Sequence, residues 1–198
     1  MLLDASDCQL VLVDYQPRLM PVMAHGEEVL QRAEVLSALA TLFDVPIWGT
    51  EQVPQRLGAM VEPLRGRCRR VLTKSAFNAC DDGLVELLRP SAPRPAGNAR
   101  SLPRHLQKAS APARQTIVLA GCEAHVCLLQ TALGLLEHEL DVWVVTDASA
   151  SRRERDRDTA FDRLAAAGVE LVTTEMVGFE WLRDARDPRF REALTLIK

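Results

Sequence analysis

Apolar residues along this chain fall into short continuous runs, separated by longer stretches in which they recur every three or four positions. The first pattern suits buried strands and the second suits helices with one covered face. Gln9 to Asp14 (QLVLVD) is a compact run closing on a carboxylate, with Pro17 soon after, and predicts strand 1 with Asp14 at its carboxyl end. Val29, Ala33, Leu36, Ala40 and Phe43 then form one stripe of a helix over about 26–43. Asp44 to Gly49 predicts a second strand, followed by a polar turn at Thr50, Glu51 and Gln52. Arg70 to Thr73 predicts a third, with Lys74 just past its end, and 83–88 a short helix. Ile117, Val118 and Leu119 are closed by Gly121. From Val126, Leu129, Ala132, Leu133 and Leu136 take up helical spacing, and Asp141 to Thr146 is again β-branched and apolar. This is strand, tight turn, helix, strand. A helix carrying Phe161, Leu164 and Ala165 stops at Gly168, Val169 to Thr173 is a sixth strand, and two short helices end the chain.

Six strands alternating with helices predict an α/β fold: a three-layer αβα arrangement around a six-stranded parallel sheet, Rossmann-like, in one domain spanning 1–198. Arg89 to Arg114 interrupts the alternation with Pro, Ala, Ser and Arg, and is read as a solvated connection with a helical turn or two at Leu102 to Lys108. A dinucleotide-binding fingerprint would place G-x-G-x-x-G after strand 1, whereas DYQPRLM contains no glycine, so no cofactor is expected.

Charge and cysteine content narrow the partners. A formal net charge of -3 gives no electrostatic reason to expect nucleic acid or an anionic membrane. No apolar run reaches the ~20 residues of a bilayer span, and MLLDASDCQL has an acidic residue where a signal peptide carries basic ones, so a cytoplasmic location is expected. Five cysteines, odd in number and without C-x-x-C spacing, read as reduced thiols. The mixed charge run from Arg152 to Asp158 reads as a solvated helix face. Exposed apolar residues of the C-terminal helix would fit a subunit contact, hence an expected homo-oligomer.

Three reactive side chains fall at strand ends: Asp14 after strand 1, Lys74 after strand 3 and Cys127 after strand 4. In a parallel sheet those ends share one edge, where ligands of open α/β sheets bind. A thiol nucleophile works with a cation or helix N-terminus to favour the thiolate and a carboxylate to carry the proton. His125, two residues before Cys127, points elsewhere on a helix and is not its base.

The segments LVLVDYQPRLMPV, TEQVPQRLGAMVEPL, TKSAF and GCEAHVCLLQTALGLLEHELDVWVVTDASASR, in this order and with the tail DPRFREALTLIK, resemble the isochorismatase-like cysteine hydrolase family, most closely its metal-free, YcaC-like branch. The likeness breaks only in the Arg89 to Arg114 stretch. The resemblance implies a catalytic triad falling on Asp14, Lys74 and Cys127. It also implies a non-proline cis peptide between Cys122 and Glu123 that aims the backbone N–H groups of Glu123 and Cys127 at one point, an oxyanion hole. Lys74 would stabilise the Cys127 thiolate, Asp14 would accept the proton, and a small amide or related C–N bond would be hydrolysed through a thioester. Nicotinamidases of the family carry an Asp-x-His metal pair after strand 2, where this chain has Thr50-Glu51-Gln52, so no metal is expected. Gln16, Thr50 and Phe77 are candidate pocket walls for a small-molecule substrate, with core packing the other reading of Phe77. Two other functions fit the same scaffold: a non-catalytic binding or assembly protein, and hydrolysis of an isochorismate-like vinyl ether, which needs an acid rather than a thiol.

Overall fold

In the computed structural model of the protein the described residues are 2–89 and 114–198, so the helical turns expected at Leu102 to Lys108 lie outside them. The strands are β1 (Cys8–Val13), β2 (Ile47–Gln52), β3 (Arg70–Lys74), β4 (Thr116–Gly121), β5 (Asp141–Val145) and β6 (Glu170–Val172). They form one sheet in the order β3-β2-β1-β4-β5-β6 with every pairing parallel. The helices are α1 (Gly26–Leu42), α2 (Pro54–Leu57), α3 (Leu64–Arg67), α4 (Leu84–Leu88), α5 (Leu129–Glu137), α6 (Glu154–Ala166), α7 (Thr174–Leu182) and α8 (Phe190–Ile197).

Successive side chains of a strand point to opposite faces, and both faces of this sheet are covered. Leu10 and Leu12 of β1 join Val118 and Ala120 of β4 in a core shared with Ala33, Leu36 and Ala40 of α1 and with Val177 and Trp181 of α7. Val11 and Val13 join Ile117 and Leu119 in a second core on the other face, against Leu128, Ala132 and Leu135 and against Leu84 and Leu164. The unbroken apolar runs of β1 and β4 reflect this burial on both sides.

β2 lies three residues later than the hydrophobic pattern predicts. Asp44 takes a left-handed conformation at the end of the α1 turn, with φ 56°, and Pro46 lacks an N–H for the ladder, so pairing begins at Ile47. The strand then runs on through Thr50, Glu51 and Gln52, all buried, because each polar side chain finds a partner inside the protein. Glu51, expected in a loop, accepts from Met60 N at 2.8 Å and Arg65 Nε at 3.2 Å.

The C-terminal helix also departs from expectation. Ala193 and Ile197 of α8 are buried in the α1 and α7 core, so this helix does not present an apolar face. Among the described residues the exposed large apolar side chains are Leu2, Val22, Phe77 and, on α7, Met176 and Phe179. No helix of the described residues is long and apolar enough to cross a membrane.

Candidate active site

Neighbouring strands β1 and β4 send their chains to opposite faces of the sheet, β1 into α1 and β4 into α5. Strand order reverses there, leaving a crevice beyond the carboxyl ends. Asp14 follows directly on β1 in a left-handed conformation, with φ 54°. Gly121 ends β4 so close to β1 that a Cβ on it would lie 2.2 Å from the Val13 carbonyl oxygen, and only glycine fits. Cys122 N then donates to Val13 O at 3.0 Å, the Cys122–Glu123 peptide is cis, and a π-helical turn, Ala124–Leu128, carries Cys127. Such turns are single-residue expansions of an α-helix and recur at functional sites.

Parallel register sets Gln52 of β2 beside Lys74 of β3. The fully buried Lys74 ammonium donates to Gln52 Oε1 at 2.6 Å and to the carbonyls of Ala76 and Phe77 at 3.3 and 3.5 Å. It forms an ion pair with Asp14 Oδ2 at 2.8 Å, between side chains that are both fully buried. That carboxylate oxygen takes part in no directional hydrogen bond, and Thr50 Oγ1 donates to the other, Oδ1, at 2.6 Å. Cys127 Sγ lies 3.9 Å from Gln52 Oε1 with Asp14 and Lys74 both within reach, and its residue is only 6% exposed. Asp14, Lys74 and Cys127 therefore meet at one point, from three separate strand ends.

Burial, and after it the Asp14 charge, push the Cys127 thiol up to about 12, with Lys74 pulling the other way. Lys74, the group that favours the thiolate, is at the same time paired with Asp14. The Glu123 N–H has no hydrogen-bond partner among the described residues, while the Glu123 carboxylate is held by Arg152 Nε at 2.7 Å. His125 turns its Nδ1 to Ser151 Oγ at 2.9 Å, and Cys122 Sγ packs 3.8 Å from Met20 Sδ. All five cysteines are free thiols.

The expected pocket walls separate in the structure. Thr50 is fully buried and orients Asp14. Gln16 does not border open space: fully buried, its amide accepts from Gln52 N at 2.8 Å and donates to Gln52 O at 3.1 Å and to Gly58 O, tying the chain after β1 to the end of β2. Phe77 is 51% exposed, so it is not core, and its ring stands at the surface while its carbonyl faces Lys74. Gln52 was hidden in the sequence because a polar triplet after an apolar run reads as a turn. The signal available was its place, two residues beyond Thr50 on a strand pointing at the same edge. No group of three His, Cys, Asp or Glu side chains that could hold a metal ion occurs among the described residues.

A sequence model of the isochorismatase domain matches residues 97–176. Isochorismatase domain-containing protein 2A of Mus musculus is 33% identical over 189 residues, covering 96% of this chain and 82% of that protein. Among solved structures, the MAR1 ribonuclease of Caenorhabditis elegans superimposes with a TM-score of 0.83 at 28% identity, covering 100% of this chain and 92% of that one. YcaC from Pseudomonas aeruginosa, solved with hexane-2,5-diol and covalent acrylamide, gives 0.83 at 25% identity over 98% of this chain and 91% of its own. The YcaC gene product of Escherichia coli, described as an octameric hydrolase of unknown specificity, gives 0.83 at 26% identity over 100% and 89%.

Proposed function

The chain belongs to the isochorismatase-like family, a hydrolase scaffold, and on that premise we propose that it is a metal-independent cysteine hydrolase cleaving a small amide or related C–N bond. The observation that carries this reading is the convergence of the buried Asp14–Lys74 ion pair on Cys127. A neutral thiol is a weak nucleophile, so its proton must leave as the sulfur attacks. Asp14 Oδ2, committed only to an ion pair, takes that proton while Lys74 holds the developing charge nearby. The substrate carbonyl oxygen, now an oxyanion, is received by the N–H groups of Glu123 and Cys127.

Collapse of the tetrahedral adduct breaks the C–N bond. The proton on Asp14 passes to the departing amine and leaves a thioester on Cys127. Water then attacks the thioester, giving its proton to Asp14. Collapse of the second adduct releases the acid and returns the proton to the sulfur. Each half-reaction thus uses the same carboxylate first as base and then as acid.

The covalent acrylamide in the Pseudomonas aeruginosa relative is what a reactive nucleophile produces, and Cys127 is the nucleophile this site offers. With the Escherichia coli relative an octamer, self-association of this chain belongs to the same proposal, through the exposed Met176 and Phe179 of α7 rather than α8. Treatment with a reactive amide or aldehyde, followed by peptide mass spectrometry, tests the nucleophile: the adduct is expected on Cys127, and labelling confined to Cys8, Cys68 or Cys80 would sink the assignment.

A further inference from the structure

We propose that Ser149 is a positioning residue for the oxyanion hole: wedged between the ends of β4 and β5, its hydroxyl holds the backbone that aims the Glu123 N–H. The inference rests on the cysteine hydrolase reading and adds a residue to its machinery. β4 and β5 pair in parallel from Thr116 and Asp141 up to Leu119 and Val144. Beyond Val145 the chain turns away, and Ser149 comes back to fill the gap. Its hydroxyl donates to Val145 O at 2.7 Å and accepts from Gly121 N at 3.2 Å. A hydroxyl has one donor and two acceptor lone pairs, so both bonds are held at once. Ser149 is buried, and removing its hydroxyl would leave the Gly121 N–H unsatisfied in the interior.

Pairing resumes one residue later, at the cis peptide itself. Cys122 and Ala150 form an isolated parallel bridge, in which Ala150 N donates to Gly121 O at 3.3 Å and Ala150 O accepts from Ala124 N at 2.7 Å. From the other side, Cys122 N donates to Val13 O at 3.0 Å. Gly121, Cys122 and Ala124 thus spend their N–H groups on Ser149, Val13 and Ala150, and the Glu123 carbonyl accepts from Val126 N and Leu128 N at 3.0 and 3.2 Å. The direction of the Glu123 N–H is therefore set by its neighbours. Of these anchors the Ser149 hydroxyl is the side chain, and so the one that a substitution can remove.

Ser151 supplies the contrast. It is buried as well, but its hydroxyl meets His125 Nδ1 at 2.9 Å, inside the helical turn rather than at the strand end that leads into it. A group that aims an oxyanion donor is felt where charge develops on a carbonyl oxygen, and not at the sulfur itself.

Propionaldehyde and iodoacetamide separate those two effects. With the aldehyde, a C–S bond forms at the carbonyl carbon, the carbonyl π pair moves to oxygen, and the thiol proton follows to that oxygen by way of Asp14. The product is a reversible hemithioacetal whose oxygen lies where the oxyanion would. With iodoacetamide, a C–S bond forms at a saturated carbon, iodide leaves with the C–I pair, and the thiol proton goes to solvent. The rate of iodoacetamide labelling at Cys127, read by peptide mass spectrometry in rising propionaldehyde, gives the concentration that half-protects the thiol. Ser149→Ala should raise that concentration about tenfold, less than the loss of an oxyanion donor outright, because the donor stays but is no longer aimed. The labelling rate without aldehyde should stay within about twofold, and Ser151→Ala should move neither quantity by more than about twofold. An unchanged half-protecting concentration in Ser149→Ala, an equal rise in Ser151→Ala, or a labelling rate that shifts along with it overturns the inference. Amide hydrolysis surviving in Cys127→Ala would instead overturn the hydrolase reading, and the aldehyde measurement on Ser149→Ala would still stand or fall by itself.

Discussion

The two edges of the sheet bury polar groups in opposite ways. At the amino-terminal edge, side chains finish the backbone: Arg114 donates to the carbonyls of Ala5 and Cys8 at 2.6 and 2.7 Å, and Asp7 accepts from Gln115 N and Thr116 Oγ1 at 3.0 and 2.8 Å. At the carboxyl edge, Asp14, Thr50, Gln52 and Lys74 hold one another instead. A buried cysteine sits at each edge. Burial raises the Cys8 thiol to about 11, offset in part by Trp181 Nε1, and the Cys127 thiol to about 12. Burial thus acts on both thiols alike, and acidity does not single out Cys127. What separates them is the ion pair beside Cys127, a carboxylate that can take a proton and a cation that can balance what remains.

The sharpest way to break this contrast is to exchange the two thiols for methyl groups. Cys127→Ala should lower kcat/KM for any amide the protein hydrolyses by on the order of 10³-fold or more, while Cys8→Ala should leave it within about twofold, as steady-state kinetics on a panel of small amides would show. Next comes the ion pair. Asp14→Asn leaves Lys74 charged and unpaired in the interior, so urea unfolding should register a loss of about 3–5 kcal/mol. Adding Lys74→Met to that variant should recover part of the loss, since no buried charge is then left alone.

At the other edge, Arg114→Ala removes the donor shared by two carbonyls and should cost about 2–3 kcal/mol in the same unfolding measurement. Cys127 alkylation should not change, which would confirm that this edge carries structure only. The raised thiol gives a pH signature. Between the ordinary value of 9.0 and about 12, the folded protein keeps the Cys127 proton that the unfolded chain loses. Stability must then fall as pH rises through that window, being unaffected below it. Cys8, Cys68, Cys80 and Cys122 act in the same direction, so the measurable effect is a shallower decline in Cys127→Ala than in the native protein. The smallest effect belongs to Val53→Gly, which should relieve the left-handed strain at φ 37° and stabilise by about 1 kcal/mol in thermal unfolding.

Apolar periodicity made β1, α1, β4 and α5 legible in the sequence, because these elements are buried where the pattern is densest. The meeting of Asp14, Lys74 and Cys127 was legible only as three strand ends on a shared edge and through the resemblance of short segments. The second half of β2 was not legible: hydrophobicity scales equate polar with exposed, and Thr50, Glu51 and Gln52 satisfy themselves through partners far away in sequence. For the same reason Gln16, a plausible wall in one dimension, turned out to be a brace. Side chains that bind other side chains leave no local trace.

The π turn at Ala124–Leu128 gives the chain length between Gly121 and Cys127 a meaning of its own. It stores one residue more than an α turn would over the same span. Deleting a single residue there would let the helix wind regularly and would carry the sulfur about 100° around the axis relative to the end of β4. The helical core contacts of α5 would survive, and no functional side chain would have been changed. The place of the Cys127 sulfur is thus indexed by a count as well as by chemistry: the thiol faces Lys74 because of how many residues precede it.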